Sequence, residues 1–314
     1  MKSTLLVMAV LLAATLAMAQ TNSTNSQAPG KSAPQTQAPA GTQAQPATGG
    51  QRMLQAKSQE EMKAYQDAMA KTDPAQVATA ASEFAAKYPA SELKASLFMR
   101  AMSLYGQANN NEKVIEEGRK AIAADPTNPV ALVQVASALA ETSRETDLDR
   151  DDRLNEAAKD AHTAIDNIDT GLLVPPNTPP ERVAAYKTMI LSRAYDTLGM
   201  VDLSKKDYAA AEKDLSKAAD LSKNSPEPVV YLRLSVTQDQ LKKYPQALEN
   251  ANKAVQLAPP GSMAQNLAKQ QQARVQKLMS AGSAPSGAAT PPASPSPAAP
   301  AATPSPQPSP TTPH

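Results

Sequence analysis

The chain is predicted to be all-α, a stacked array of helix pairs, and three observations carry that prediction. Between residues 58 and 280 apolar residues recur at helical spacing, and no stretch shows the β-branched alternation of a strand. One helical pattern is written twice: Tyr195, Leu198, Tyr208, Ala211 and Ala218 are followed 36 residues later by Tyr231, Leu234, Tyr244, Ala247 and Ala254. Proline punctuates the copies, at Ser225-Pro226-Glu227-Pro228 and at Pro259-Pro260-Gly261. Repetition at such a period marks a helical solenoid, in which each unit buries its apolar face against the next.

The small residues have a physical reason. Where two antiparallel helices cross closely, only Gly, Ala or Ser lets the backbones approach, and large residues fill the gaps beside them. Tyr195, Leu198 and Gly199, then Ala211, Leu215 and Ala218, resemble the tetratricopeptide repeat, a helix–turn–helix unit of about 34 residues. Tyr195 stands where that signature has Trp, and Asp202 stands where it has a second aromatic. The resemblance implies a right-handed α-solenoid; the terminal segments add an exported bacterial type and disordered arms at both ends.

In chain order, residues 1–19 read as a secretory signal peptide cleaved after Ala19. Lys2 supplies the positive region, Leu5 to Leu16 the apolar run, and Ala17-Met18-Ala19 the cleavage site. Residues 20–57 are a Gln/Ala/Pro/Thr-rich linker, expected to be disordered. The solenoid is expected over 58–280, with a degenerate unit at 58–90 and a fuller one at 95–128. A third unit, 129–169, carries an insertion around residues 143–153, because Ala157, Ala161 and Ala164 come too late for an uninterrupted pair. The loop 170–180, with one Gly and four prolines, is expected to divide the array into a three-unit front and a two-unit back, followed by one long helix over 181–205 whose early part packs across the break. Units at 192–225 and 228–261 follow, with a capping helix at 262–279 whose Gln270-Gln271-Gln272 should face water. Residues 281–314 form a Pro/Ala/Ser-rich tail, expected to be disordered and extended.

Composition excludes several function classes. All 30 acidic residues lie within residues 51–280, against 29 basic ones once Lys2 and Lys31 are set aside from 31. A balance of about −1 with no basic run gives no footprint for nucleic acid, and no membrane insertion is expected after signal cleavage. There is no cysteine, hence neither a disulfide framework nor a thiol nucleophile. Histidine occurs at His162 and His314 alone, and no catalytic triad, zinc motif or phosphate loop is present. No enzyme activity, cofactor or metal is expected. Asp147, Asp149 and Asp151 have the spacing that opens a calcium loop, but Asp152 and Ala158 stand where such a loop needs Gly and Glu.

What remains is a binding scaffold for a protein or an extended peptide of unknown identity. The resemblance implies a groove lined by each unit's first helix: Met99 and Ser103, Val133 and Ser137, Arg193, Asp196 and Met200, Leu232 and Val236. These residues lack the Lys and Asn with which some family members clamp a peptide carboxylate. The plain alternative for the apolar ones is packing between units. The expected location is periplasmic or secreted. The alternative function is a structural spacer of the envelope, with the low-complexity arms holding components apart.

Overall fold

The computed structural model describes residues 54–283, and among them it has eleven α-helices and no strand. The signal peptide, most of the 20–57 linker and nearly all of the 281–314 tail lie outside the described residues. The helices are α1 (Gln59–Met69), α2 (Pro74–Lys87), α3 (Lys94–Gln107), α4 (Asn111–Ala124), α5 (Pro129–Thr142) and α6 (Arg150–Asp166). They continue as α7 (Pro180–Ser204), α8 (Tyr208–Leu221), α9 (Pro228–Gln240), α10 (Tyr244–Leu257) and α11 (Met263–Ser283). Consecutive helices pair, α1 with α2 through α9 with α10, and each pair stacks on the next, so the architecture is an α-solenoid.

Local chemistry sets the helix starts. Asp73, Asn110, Asn128 and Asp207 each accept a backbone N–H of the first turn, satisfying donors that the helix itself cannot. Proline occupies the first turn of α2, α5, α7, α9 and α10, where its missing N–H is not needed.

The links inside pairs repeat as well. Residues 108–110, 205–207 and 241–243 join first to second helix, and the middle residue of each is left-handed: Asn109 (φ 56°), Lys206 (φ 63°) and Lys242 (φ 59°). Each link closes with the same backbone bond, from Asn110 N to Tyr105 O at 3.0 Å, Asp207 N to Asp202 O at 2.9 Å and Lys243 N to Gln238 O at 2.8 Å.

Every second helix buries the same three positions: Val77, Ala81 and Phe84; Val114, Gly118 and Ala121; Ala157, Ala161 and Ala164; Ala211, Leu215 and Ala218; Ala247, Ala251 and Ala254. Spaced by four and three residues, they form one stripe against the partner helix. Bulk at the crossing is shared between the two helices. A Cβ on Gly118 would lie 2.9 Å from Met102 Sδ and 2.2 Å from Val135 Cγ2, and one on Gly199 would lie 2.5 Å from Leu215 Cγ. In the last pair the places of Gly199 and Leu215 are taken by Ser235 and Ala251, small on both sides.

The long helix expected over 181–205 is α7, and two other sequence expectations change. The 170–180 loop interrupts the chain but not the core. Leu198, Met200 and Val201 of α7 join the cluster that begins at Ala68, and Ile190 and Ala194 pack with Leu132, Val133, Ala164, Ile168 and Leu172. The long α7 carries the core across the gap, and Gly171 lets the loop lie on the Thr127 carbonyl, which a Cβ there would approach to 1.9 Å. The insertion in the third pair is only partly loop: residues 143–149 replace a three-residue link, and α6 begins at Arg150 with an added turn. On α11, Gln271 is buried rather than solvent-facing, because its Nε2 donates to Asp239 Oδ2 at 3.2 Å.

Two alanine substitutions test the crossing. Gly118→Ala is expected to lower stability by about 1–3 kcal/mol through overpacking. Gly106→Ala in α3, where a new Cβ meets only Val114 at 3.7 Å, is expected to raise it by up to about 1 kcal/mol. Equal urea midpoint shifts for the two variants would refute the assignment. Ala211 and Ala247 are wholly buried, so Ala211→Asp or Ala247→Asp is expected to cost several kcal/mol. Unchanged thermal melting, followed by circular dichroism, would contradict that.

Candidate functional site

The residues that the resemblance placed in the groove separate into three sets. Val133, Ser137 and Met200 are buried. Val133 and Met200 pack into core clusters, and the Ser137 hydroxyl lies 2.8 Å from that of Thr197, joining α5 directly to α7. Packing takes these three out of any surface groove. Met99 and Asp196 are half-buried and already engaged. The Met99 sulfur accepts from Asn128 Nδ2 at 3.2 Å, and Asp196 forms an ion pair with Arg233 of α9. The third set is available: Ser103 and Arg193 are exposed, and Leu232 and Val236 are partly so. Arg193 still leans on the core, its Nε donating to Ser137 Oγ at 3.4 Å.

Val236 also lines a cavity of about 290 Å³ that sequence reasoning missed. Its walls are Leu203, Ser204, Lys206 and Tyr208 around the α7–α8 link, Gln240 of α9, and Ser143, Glu145 and Arg150 of the insertion. A larger polar opening of about 630 Å³ beside it shares Glu145, Arg150, Ser204 and Lys206, and adds Asp151, Asn155 and Lys205. The signal was present in the sequence as Arg150 and Arg153, interleaved with the insertion's aspartates. Arg150 donates to the Ser204 carbonyl at the end of α7, and Arg153 donates to the Thr142 hydroxyl. Freed carbonyls at a helix C-terminus attract such cations.

The aspartates of the insertion hold the loop itself. Asp147 Oδ2 accepts from Arg144 N at 2.8 Å, and Asp151 and Asp149 lie beside Arg150 and Arg153. Among the described residues no group of three or more His, Cys, Asp or Glu is placed to hold a metal ion, and no helix is long and apolar enough to cross a membrane.

Two carboxyls are pushed up to about 6. Burial pushes Asp160 up to about 6, the Glu156 charge adds to the effect, and Lys159 and Arg119 oppose it. Arg119 is spent on Glu156, with Nε donating to Oε1 at 2.8 Å, so Asp160 keeps little of its help. Asp202, on the face where the repeat signature has an aromatic, is also pushed up to about 6, first by burial and then by Asp214 and Asp207, against Lys205 and His162. Exposed His162, between Ala161 and Thr163 on α6, thus faces the carboxylates of α7 and α8.

A family model described as tetratricopeptide repeat matches residues 192–225, which span the second half of α7 and all of α8. No curated protein matches the chain. Among solved structures, the chain is similar to pilF of Pseudomonas aeruginosa, with 16% identity over 71% of this chain and 91% of that one, at a TM-score of 0.43. It is similar to TTC0263, a thermophilic tetratricopeptide-repeat protein of Thermus thermophilus, with 15% identity over 70% and 98% and a TM-score of 0.40. A structure of the MamA protein aligns at 16% identity over 59% and 88%, with a TM-score of 0.36.

The raised carboxyls give a pH dependence of defined sign. Asp160 binds its proton more tightly folded (about 6) than at its ordinary value of 3.8. The stability it contributes is therefore complete below the ordinary value and is lost as pH rises through about 6. Asp160→Asn, which removes the buried charge, is expected to raise stability at neutral pH by about 1–2 kcal/mol and to flatten the profile on the acid side. Urea melts at a series of pH values test this, and a profile parallel to that of the parent protein would exclude Asp160 as the source.

Proposed function

We propose that the chain, whose residues 192–225 match the tetratricopeptide repeat, is a non-catalytic scaffold of the cell envelope that binds a protein or an extended peptide. The observation that carries the reading is the first-helix face of the last two pairs. There Leu203, Leu232 and Val236 stay partly open and Arg193 of α7 is exposed, while Asp196, Arg233 and Asp239 are engaged in links between helices. An apolar strip with a few charges suits a chain whose side chains alternate. Each apolar anchor supplies roughly 1.5–3 kcal/mol before ordering costs are subtracted, which points to micromolar affinity. Export is supported by the signal-like pattern of residues 1–19, with a periplasmic or secreted destination and a mature chain starting at Gln20.

The uncharged, proline-rich composition of 281–314 favours a second reading, a spacer that holds envelope components apart. Shortening that segment separates the two: a spacer loses function in proportion to length, and a binder does not.

A photoreactive residue at Leu232 is expected to capture a partner in envelope extract, and one at exposed Lys213 of α8 is not. Capture of the same proteins at both positions, or of none at either, would remove the groove reading. Intact-mass analysis of the exported protein is expected to show loss of residues 1–19. A retained leader would make the protein membrane-anchored.

A further inference from the structure

The insertion in the third pair presents a knob beside a hole. Leu148, at its tip, is 107% exposed, more open than any other large apolar residue among those described. A single exposed leucine needs no explanation by itself. This one sits on a fixed loop. Asp147 N donates to Arg144 O at 3.1 Å and Arg150 N to Asp147 O at 3.3 Å, while Arg144 N donates to Asp147 Oδ2 and the two arginine side chains bind α5 and α7. Little freedom remains to be lost when the tip is covered. The base of the same loop walls the cavity of about 290 Å³, where Leu203, Tyr208 and Val236 offer apolar surface.

The tip carries exposed acid, and the opening carries both signs. Asp149 and Asp151 are exposed next to the tip, whereas Arg150 and Arg153 are turned inward. Lys205 and Lys206 are exposed at the opening together with Glu145 and Asp151; Lys205 donates to Asn155 Oδ1 at 2.7 Å, and Lys206 pairs loosely with Glu145 at 3.8 Å.

A knob and a complementary hole side by side on one surface are what a two-fold interface needs, since residue i of each copy then meets residue j of the other. The geometry points to self-association of this chain about a two-fold axis beside the insertion, with Leu148 of each copy seated in the Leu203–Tyr208–Val236 cavity of the other. The aspartates of one tip then face Lys205 and Lys206 of the second copy. This interface goes beyond the scaffold reading but shares Leu203 and Val236 with the proposed groove; Leu232 and Leu148 each belong to one of the two alone, so their variants test the readings separately.

The absence of cysteine makes the test direct. Full-length Leu148→Cys and Val236→Cys proteins are prepared separately and mixed under mild oxidation. The mixture is expected to yield a disulfide-linked dimer well above either variant alone and above a mixture of Leu148→Cys with Lys213→Cys. In sedimentation velocity the parent chain is expected to pass from monomer to dimer with rising micromolar concentration, less so at high salt. Leu148→Ser, a change at a fully exposed position, is expected to stay monomeric with an unchanged helical spectrum. A chain that is monomeric throughout overturns the proposal, as it would if the cavity serves a different protein. A dimer that Leu148→Ser leaves intact, for instance one built on Met263 and Leu267 of α11, overturns it equally.

Discussion

In each pair two helix backbones approach closely, and the array depends on something small standing where they cross. That requirement is met in different ways: Met102 lies over Gly118, Leu215 lies under Gly199, and Ser235 stands where Gly199 does with Ala251 in place of Leu215. Bulk can move from one helix to the other, or be dropped, provided the sum at the crossing stays small. Where it is dropped, polar groups make up the contact: Ser235 donates to the Ala247 carbonyl at 2.7 Å, and Gln238 accepts from Asn250 at 2.8 Å. The last pair is thus held with fewer large apolar groups and more hydrogen bonds than the middle of the array.

Contacts between pairs follow a second rule. First helices meet neighbouring first helices through polar or charged groups: Ser137 with Thr197, Asp196 with Arg233, and Asp239 with Arg274 and Gln271 of the capping helix. Such buried groups fix register, because a shifted neighbour leaves one of them without its partner. They also consume side chains that a sequence reading assigns to ligand binding.

Much of the fold was legible in the sequence. The second-helix stripe, such as Ala211, Leu215 and Ala218, shows because a small residue at fixed spacing has few other causes. The face of a first helix is less legible. Its spacing tells which way Val133, Ser137 and Met200 point but not what stands in front of them, and α7 stacking on α5 covers the site. Gln271 looked solvent-facing for the same reason, since its polar end is satisfied by an aspartate 32 residues earlier in the chain. The cavity beside the insertion was hidden because its walls come from three separate segments, and Arg150, which organises it, acts on a backbone carbonyl, which leaves no mark in a sequence.

The length of α7 has a mechanical consequence. At 25 residues, or about 37 Å, it is roughly twice as long as the other first helices. Its first half is bedded on the third pair and its second half belongs to the fourth, so these two pairs share one rod. A solenoid of equal links bends a little at every joint, like a spring. Here the joint between the third and fourth pairs is splinted, and the compliance is left to the outer pairs, which can flex about a stiff middle.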